Sequence, residues 1–211
     1  EGLFRAIKDA SDRVVQRIQP QMTYLNIMRE VLPREAFLVE EISQVGFASY
    51  YGFDVFAPRK LVTCGYQGNL GHGFQTALGV RVANPDMPVV SISGDGGIMF
   101  GIQELATAVQ YNIGVILLIF NNGAFGNVRR DQINFFDGRI HGSELRNPDF
   151  VALAHSFGAK GYKSKSPEHF RALLAQALDE AMTGPVVIEI PIERGSERSP
   201  FEFMMPNNYG R

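Results

Sequence analysis

Pro88–Gly97 reads PVVSISGDGG and Val115–Gly123 reads VILLIFNNG. Each is a short run of apolar, largely β-branched residues that stops abruptly at glycine or asparagine. Such runs are the mark of strands buried on both faces, as in a parallel sheet. The segment between them carries apolar residues at helical spacing. It predicts a helix through Gln103 to Tyr111, with Leu105, Ala106 and Val109 facing the core.

The same alternation extends outward in both directions. Upstream, Ala36–Val39 is a short apolar run flanked by charge, and Ser43–Tyr51 reads as a helix. Leu61–Cys64 reads as a strand and Gly65–Gly73 as a glycine-rich loop. A helix then runs to about Asn84, where Asn84-Pro85-Asp86 turns the chain. Nearer the amino end, helical spacing over Leu3–Ile18 and Met22–Leu32 is broken by Pro20 and Pro33. Downstream come a helix near Asp149–Phe157, a strand near Ala159–Tyr162, a helix near Glu168–Met182 and a strand at Val186–Pro191. No repeat or linker interrupts the series. It predicts one α/β domain with an open, mostly parallel sheet and helices on both faces. Ligands of such sheets bind outside the carboxyl ends of the strands. The three loops Gly65–Gly73, Gly94–Gly97 and Asn121–Gly126 fall there.

Composition narrows the class. The chain has 211 residues, 45% hydrophobic and 20% charged, with a net charge of −2. A domain of that size buries roughly 70% of its unfolded surface, so it needs no covalent staples. The near-neutral balance shows no nucleic-acid footprint and no basic membrane patch. No apolar run reaches the ~18 residues of a spanning helix. Cys64 is the only cysteine. It excludes an internal disulfide, suggests a reducing cytoplasm, and in its apolar stretch is expected to be a buried structural thiol. The sequence opens on Glu1 rather than Met, which reads as a boundary within a longer protein.

Asp95 follows a buried strand, lies between glycines and precedes a helix. Free N–H groups and the positive dipole end at that helix start suit a phosphate. An acid at the same place repels a bare diphosphate, and a divalent cation bridging the two resolves the conflict. Mg²⁺ is the usual choice for carboxylate and phosphate oxygens. Asn122, at the end of the next apolar strand, adds a hard amide oxygen. Gly123 lets the backbone turn, so that the carbonyl of Ala124 becomes a third protein ligand.

Here the residues resemble a family. GDGG at Gly94–Gly97, the 24 residues from Gly97 to Phe120, and NN at Asn121–Asn122 resemble the thiamine diphosphate motif. The surrounding GIQELATAVQYN and FNNGAFGNVRR are similar to the carboxyl-terminal domain of the acetolactate synthase and benzoylformate decarboxylase group. The likeness spans about Pro20 to Pro191. It implies a thiamine diphosphate-binding fold over 20–211, with 1–19 as the end of a linker helix. It also implies Mg²⁺ on Asp95, Asn122 and the Ala124 carbonyl, and diphosphate on the N–H groups of Gly96 and Gly97. By position, Ser43 and Gln44 would touch the diphosphate, and Phe125 and Gly126 would border the cofactor. Leu70 would be the apolar wedge that keeps the cofactor bent, and the Gly68 carbonyl would accept from its pyrimidine amino group. His72, beside that loop, is expected to play a structural part.

The chain departs from the family pattern at several positions. Gly97 stands where Ser or Ala is usual, and Gln44-Val45 replaces the Gln-His common in acetolactate synthases. Asn127, Val128 and Asp131 fall where substrate is selected, and Asp131 replaces a bulky aromatic. The reaction implied is decarboxylation of a 2-keto acid with carboligation. The alternatives are a simple decarboxylase of the benzoylformate, phosphonopyruvate or sulfopyruvate type, or a degenerate module without catalysis. A dinucleotide-binding reading fails, because no intact GxGxxG opens a helix. The family's activating glutamate belongs to a separate pyrimidine-binding domain, and Glu40 and Glu41 are misplaced for it. This chain alone is therefore expected to be inactive, with its partner domain on the same or another chain. The complete enzyme would be at least a dimer.

Overall fold

The computed structural model describes residues 2–204. Helices α1 (Gly2–Val15) and α2 (Gln21–Val31) precede strand β1 (Phe37–Glu40). Then follow α3 (Gln44–Gly52), the short β2 (Leu61–Val62), α4 (His72–Ala83) and β3 (Val89–Gly94). The single turn α5 (Asp95–Ile98), a 3-10 turn at Ile102–Glu104 and α6 (Leu105–Gln110) lead to β4 (Ile116–Asn121). The chain continues through α7 (Gly126–Phe135), α8 (Phe150–Phe157), β5 (Lys160–Lys163), α9 (Pro167–Glu180), β6 (Val186–Pro191) and α10 (Phe201–Met204).

The strands pair in the order β2-β1-β3-β4-β6-β5, and every pairing is parallel. Alternate strand residues point to opposite faces, which makes two cores. Leu38, Ile92, Leu118 and Ile188 pack against α2 and α9. Val39, Leu117, Ile119 and Val187 pack against Phe74 of α4, Leu105 of α6 and Phe150 of α8. The helix starts are set by local chemistry. Ser43 and Ser166 cap α3 and α9, Pro167 opens α9, and Asp149 accepts from Val151 and Ala152 N–H at α8. Each cap satisfies backbone donors that have no partner within the helix. Phe170 of α9 is fully buried, its ring edge-on to Tyr24 at 5.5 Å between centroids. Phe170→Ala should cost about 3–5 kcal/mol, read as a lower midpoint in urea unfolding with an unchanged slope.

Three details differ from the sequence expectation. Ala106 is exposed, because the 3-10 turn starts the α-helical register at Leu105 and turns Leu105 and Ala108 inward. Val109, as expected, packs on the core. Cys64 lies beyond the two-residue β2 and is only half-buried, its Sγ 3.6 Å from the Tyr50 hydroxyl. Helix α7 was not anticipated, since it buries no residue in this chain and so shows no apolar stripe. Among the described residues no helix is long and apolar enough to cross a membrane.

The strand order places the site. From β1 the chain winds to β2 on one side, then crosses back over β1 to β3 and winds the other way to β4. The loops leaving β1 and β3 therefore diverge, and a crevice opens between them at the carboxyl edge of the sheet.

Candidate functional site

A cavity of about 230 Å³ occupies that crevice. The loop after β1 supplies Ser43 and Gln44, and the glycine-rich loop supplies Gly68 and Leu70. Asp95, Gly96 and Gly97 come from the end of β3, and the β4 side contributes Asn122, Ala124, Phe125, Gly126, Asn127 and Val128. The fold thus brings together all the residues assigned from the sequence to cofactor, cation or substrate except Asp131, which does not line this cavity. Asp131 sits further along α7, half-buried, with Oδ1 buried and unpartnered among the described residues.

Asp95 is 2% exposed at the start of α5. Burial pushes its carboxyl above the ordinary range. The Asn147 amide and the N–H groups of Asp95 itself, Asn122 and Gly123 pull the other way. Asn147 Nδ2 lies 2.6 Å from Asp95 Oδ2 and 2.9 Å from Asn121 Oδ1, so one amide ties the two motifs together. The two glycines after Asp95 are required by close approach. A Cβ on Gly96 would lie 2.5 Å from the Phe125 ring. A Cβ on Gly97 would lie 2.1 Å from Glu41 Oε1.

The paired asparagines divide their work. Asn121 is bound on every side: Nδ2 donates to Glu189 Oε1 at 2.9 Å, and Oδ1 accepts from Gly123 N at 3.1 Å as well as from Asn147. It is a scaffold residue and does not line the cavity. Asn122 faces the cavity, with Oδ1 accepting from Ala124 N at 3.0 Å. Ala124 forms an antiparallel bridge with Glu144 whose bonds run through Gly123 O and Phe125 N. That pattern directs the Ala124 carbonyl away from the 143–145 segment.

Glu41 is the organiser of the opposite wall. Fully buried, it accepts from Gly71 N at 2.8 Å, Gly73 N at 3.3 Å and Ser93 Oγ at 2.9 Å. Burial raises its pKa against those three bonds. Its carboxylate links the glycine-rich loop to β3 and fills the space that a side chain at position 97 would need. That close approach accounts for glycine at position 97 in this chain. Ser43 Oγ accepts from Gly46 N at 2.9 Å, which leaves its hydroxyl hydrogen for a ligand. Val45 is buried in the core and contributes nothing to the cavity. Leu70 is 37% exposed beside Gly97, an unusual place for an ordinary core leucine. His72 opens α4, its ring near Thr76 Oγ1, and does not line the cavity.

Sequence reading missed Glu197, which lines the cavity from the segment after β6. Its Oε2 accepts from Asn122 Nδ2 at 2.6 Å. Burial pushes Glu197 up to about 6; the Asn122 amide opposes this, the charge of Asp95 adds to it and Arg130 lowers it. In the same segment, Arg194 donates to the carbonyls of Asn122 and Gly123 and pairs with Glu144. No local signal marks Glu197, because it stands among other charged residues in a loop without periodicity.

The fold and the cavity define a binding domain at the switch point of a parallel sheet. The chain belongs to the family described as thiamine pyrophosphate enzyme, C-terminal TPP binding domain, which it matches over residues 41–190. It is 33% identical over 186 residues to the acetolactate synthase isozyme 3 large subunit of Escherichia coli (strain K12), covering 86% of this chain and 32% of that protein. Against the acetolactate synthase large subunit of Parasynechococcus marenigrum it is 39% identical over 145 residues, covering 68% and 23%. Its fold is similar to the thiamine diphosphate-dependent 4-hydroxybenzoylformate decarboxylase of Rhodococcus jostii RHA1. The TM-score is 0.76 at 29% identity, over 82% of this chain and 32% of that one. The chain spans about a third of the length of the first of these relatives.

Proposed function

We propose that this chain holds the diphosphate and Mg²⁺ of thiamine diphosphate in an enzyme that decarboxylates a 2-keto acid and joins the remainder to a second carbonyl compound, as an acetolactate synthase does. One observation carries the reading. Asp95, Asn122 and Ala124 face a single crevice at which the N–H groups of Gly96 and Gly97 begin a helical turn. The donor set fits a hard cation: one carboxylate, one amide oxygen and one carbonyl, with diphosphate oxygens and water to complete six. Among the described residues no group of three His, Cys, Asp or Glu offers a different metal site. Two acids, the buried Asp95 and the half-buried Glu197, also repel one another across this cavity, which a cation would relieve.

Bound there, the cofactor would supply a nucleophilic carbon for the 2-keto acid. The residues of this chain would bind and orient it. Gly96 and Gly97 hold the diphosphate through backbone N–H, with Ser43 and Gln44 adding side-chain contacts. Leu70 props the cofactor from below, Gly68 offers a carbonyl to the pyrimidine, Phe125 and Gly126 border it, and Asn127 with Val128 faces the substrate. Leu70 and Val128 remain partly exposed at the cavity, 37% and 51%. That suits a cavity completed by a pyrimidine-binding domain, of the same or a partner chain, which brings the activating glutamate.

The test is calorimetric titration of the full-length protein with thiamine diphosphate, with and without Mg²⁺, followed by pyruvate turnover and product identification. Mg²⁺-dependent binding and acetolactate are the expected results. Binding that ignores Mg²⁺ overturns the metal assignment, and failure to bind overturns the cofactor reading. A decarboxylase without carboligation is the second reading, favoured by polar Asn127 in the cavity and by the likeness to the decarboxylase fold above; acetaldehyde as the sole product would select it. Leu70→Ala should lower turnover on the order of tenfold or more with little change in cofactor affinity, since it shapes rather than anchors the cofactor. Equal losses in both would remove the wedge role.

A further inference from the structure

Three side-chain amides line the cavity, those of Gln44, Asn122 and Asn127. Each has one end held by a charged group. Glu197 Oε2 accepts from Asn122 Nδ2 at 2.6 Å. Arg130 donates through Nη1 to Gln44 Oε1 at 3.1 Å, and through Nη2 to Asn127 Oδ1. A guanidinium can only donate and a carboxylate can only accept. The sign of the charge behind each amide therefore decides which end is consumed and which remains. Asn122 is left with its oxygen, which keeps a second lone pair beyond the bond from Ala124 N. Gln44 and Asn127 are left with their NH₂ groups.

We propose that Arg130 and Glu197 are positioning residues of opposite sign that sort these amides by the charge each is to meet. Glu197 turns the Asn122 oxygen to the cation. Arg130 turns the Gln44 amide hydrogens to the diphosphate and the Asn127 amide hydrogens to the substrate, selecting a 2-keto acid whose carboxylate or further acceptor group reaches that side. This rests on the reading under Proposed function. Arg130 lines not this cavity but the adjoining one, which shares Gln44, Asn122 and Glu197 with it. It acts from one helical turn behind Asn127, so an anionic ligand in the first cavity meets two neutral donors whose direction the guanidinium fixes. The same guanidinium joins α7 to the start of α3, so the two donors are set together across 86 residues of sequence. A network of this kind orients the groups that touch a ligand without touching it.

The experiment uses the full-length protein and two binding constants. Thiamine diphosphate affinity is measured by calorimetry at saturating Mg²⁺, and cation affinity by the electron paramagnetic resonance of Mn²⁺ at saturating thiamine diphosphate. Glu197→Leu should weaken the cation by about tenfold or more while moving cofactor affinity less than about threefold. Arg130→Met should do the reverse and raise the KM for the 2-keto acid. Glu197→Gln and Arg130→Lys, which keep an acceptor and donors in place, should recover most of each loss. Asn127→Asp keeps the shape and the Arg130 contact but presents an acceptor in place of a donor. It should raise KM about tenfold or more, with both binding constants unchanged. A Glu197→Leu or Arg130→Met variant that shifts both constants by one factor, or neither, overturns the proposal, as does an unchanged KM in Asn127→Asp. Wild-type protein that binds no thiamine diphosphate would instead overturn the functional reading itself.

Discussion

Asp95→Ala should abolish Mg²⁺-dependent binding of thiamine diphosphate, a loss on the order of 100-fold or more, since even residues that only orient ligands cost 10–100-fold. The carboxylate is buried at the carboxyl end of β3, and its Oδ2 is held by Asn147 at 2.6 Å. No other carboxylate of the cavity replaces it. Glu197, the remaining acid there, already accepts from Asn122. Titration calorimetry of wild type and variant, each with Mg²⁺ and with excess chelator, reads the effect. In the wild type, chelator should release the cofactor; in the variant it should change nothing. Retained binding in Asp95→Ala, still sensitive to chelator, would place the cation on other ligands. The apo variant should fold normally, because burial already holds this carboxyl above its ordinary range and its charge is a cost in the empty site.

Gly97→Ala should be the most disruptive small substitution in the cavity. Its Cβ would meet Glu41 Oε1 at 2.1 Å, well inside van der Waals contact. Glu41 cannot simply swing aside, because its two oxygens carry the bonds from Gly71, Gly73 and Ser93. Relief must come from moving the glycine-rich loop, at about 1–3 kcal/mol for overpacking. That loop carries Gly68 and Leu70, so cofactor affinity should fall with stability. Glu41→Asp alone should also destabilise, since the shorter side chain does not reach all three donors. Asp in place of Glu leaves room for one methyl group, so the double variant Glu41→Asp/Gly97→Ala should lose less than the sum of the single losses. A double-mutant cycle in urea reads this directly. Coupling above about 0.5 kcal/mol confirms that the two positions share one space. Additive losses would mean that Gly97 is required by its backbone alone.

Much of this molecule was legible in its sequence, for a physical reason. The runs at Pro88–Ser93 and Val115–Phe120 are continuous because both faces of the sheet are covered, and burial of that kind is written residue by residue. The cap at Ser43, the turn at Asn84-Pro85-Asp86 and the glycines after Asp95 act within a few residues of themselves. Local chemistry of that range survives in a linear pattern. Helix α7 was silent because its apolar residues, Val128, Ile133 and Phe135, are all partly exposed and mark no core face. Ala106 was misread because a 3-10 turn shifted the register by which it was judged.

The sequence by itself determined the parallel α/β fold, the strand ends and the two motifs that face the crevice, since each follows from patterns a few residues long. Only the tertiary structure decided how those motifs are held. Asn147 reaches Asp95 across 52 residues, Glu197 reaches Asn122 across 75, and Arg130 reaches Gln44 across 86. A lone Asn, Glu or Arg in a polar stretch looks like any solvated surface residue. Its role is set by what the crossing over β1 lays beside it, and the strand order β2-β1-β3-β4-β6-β5 is a property of the whole packed sheet rather than of any segment.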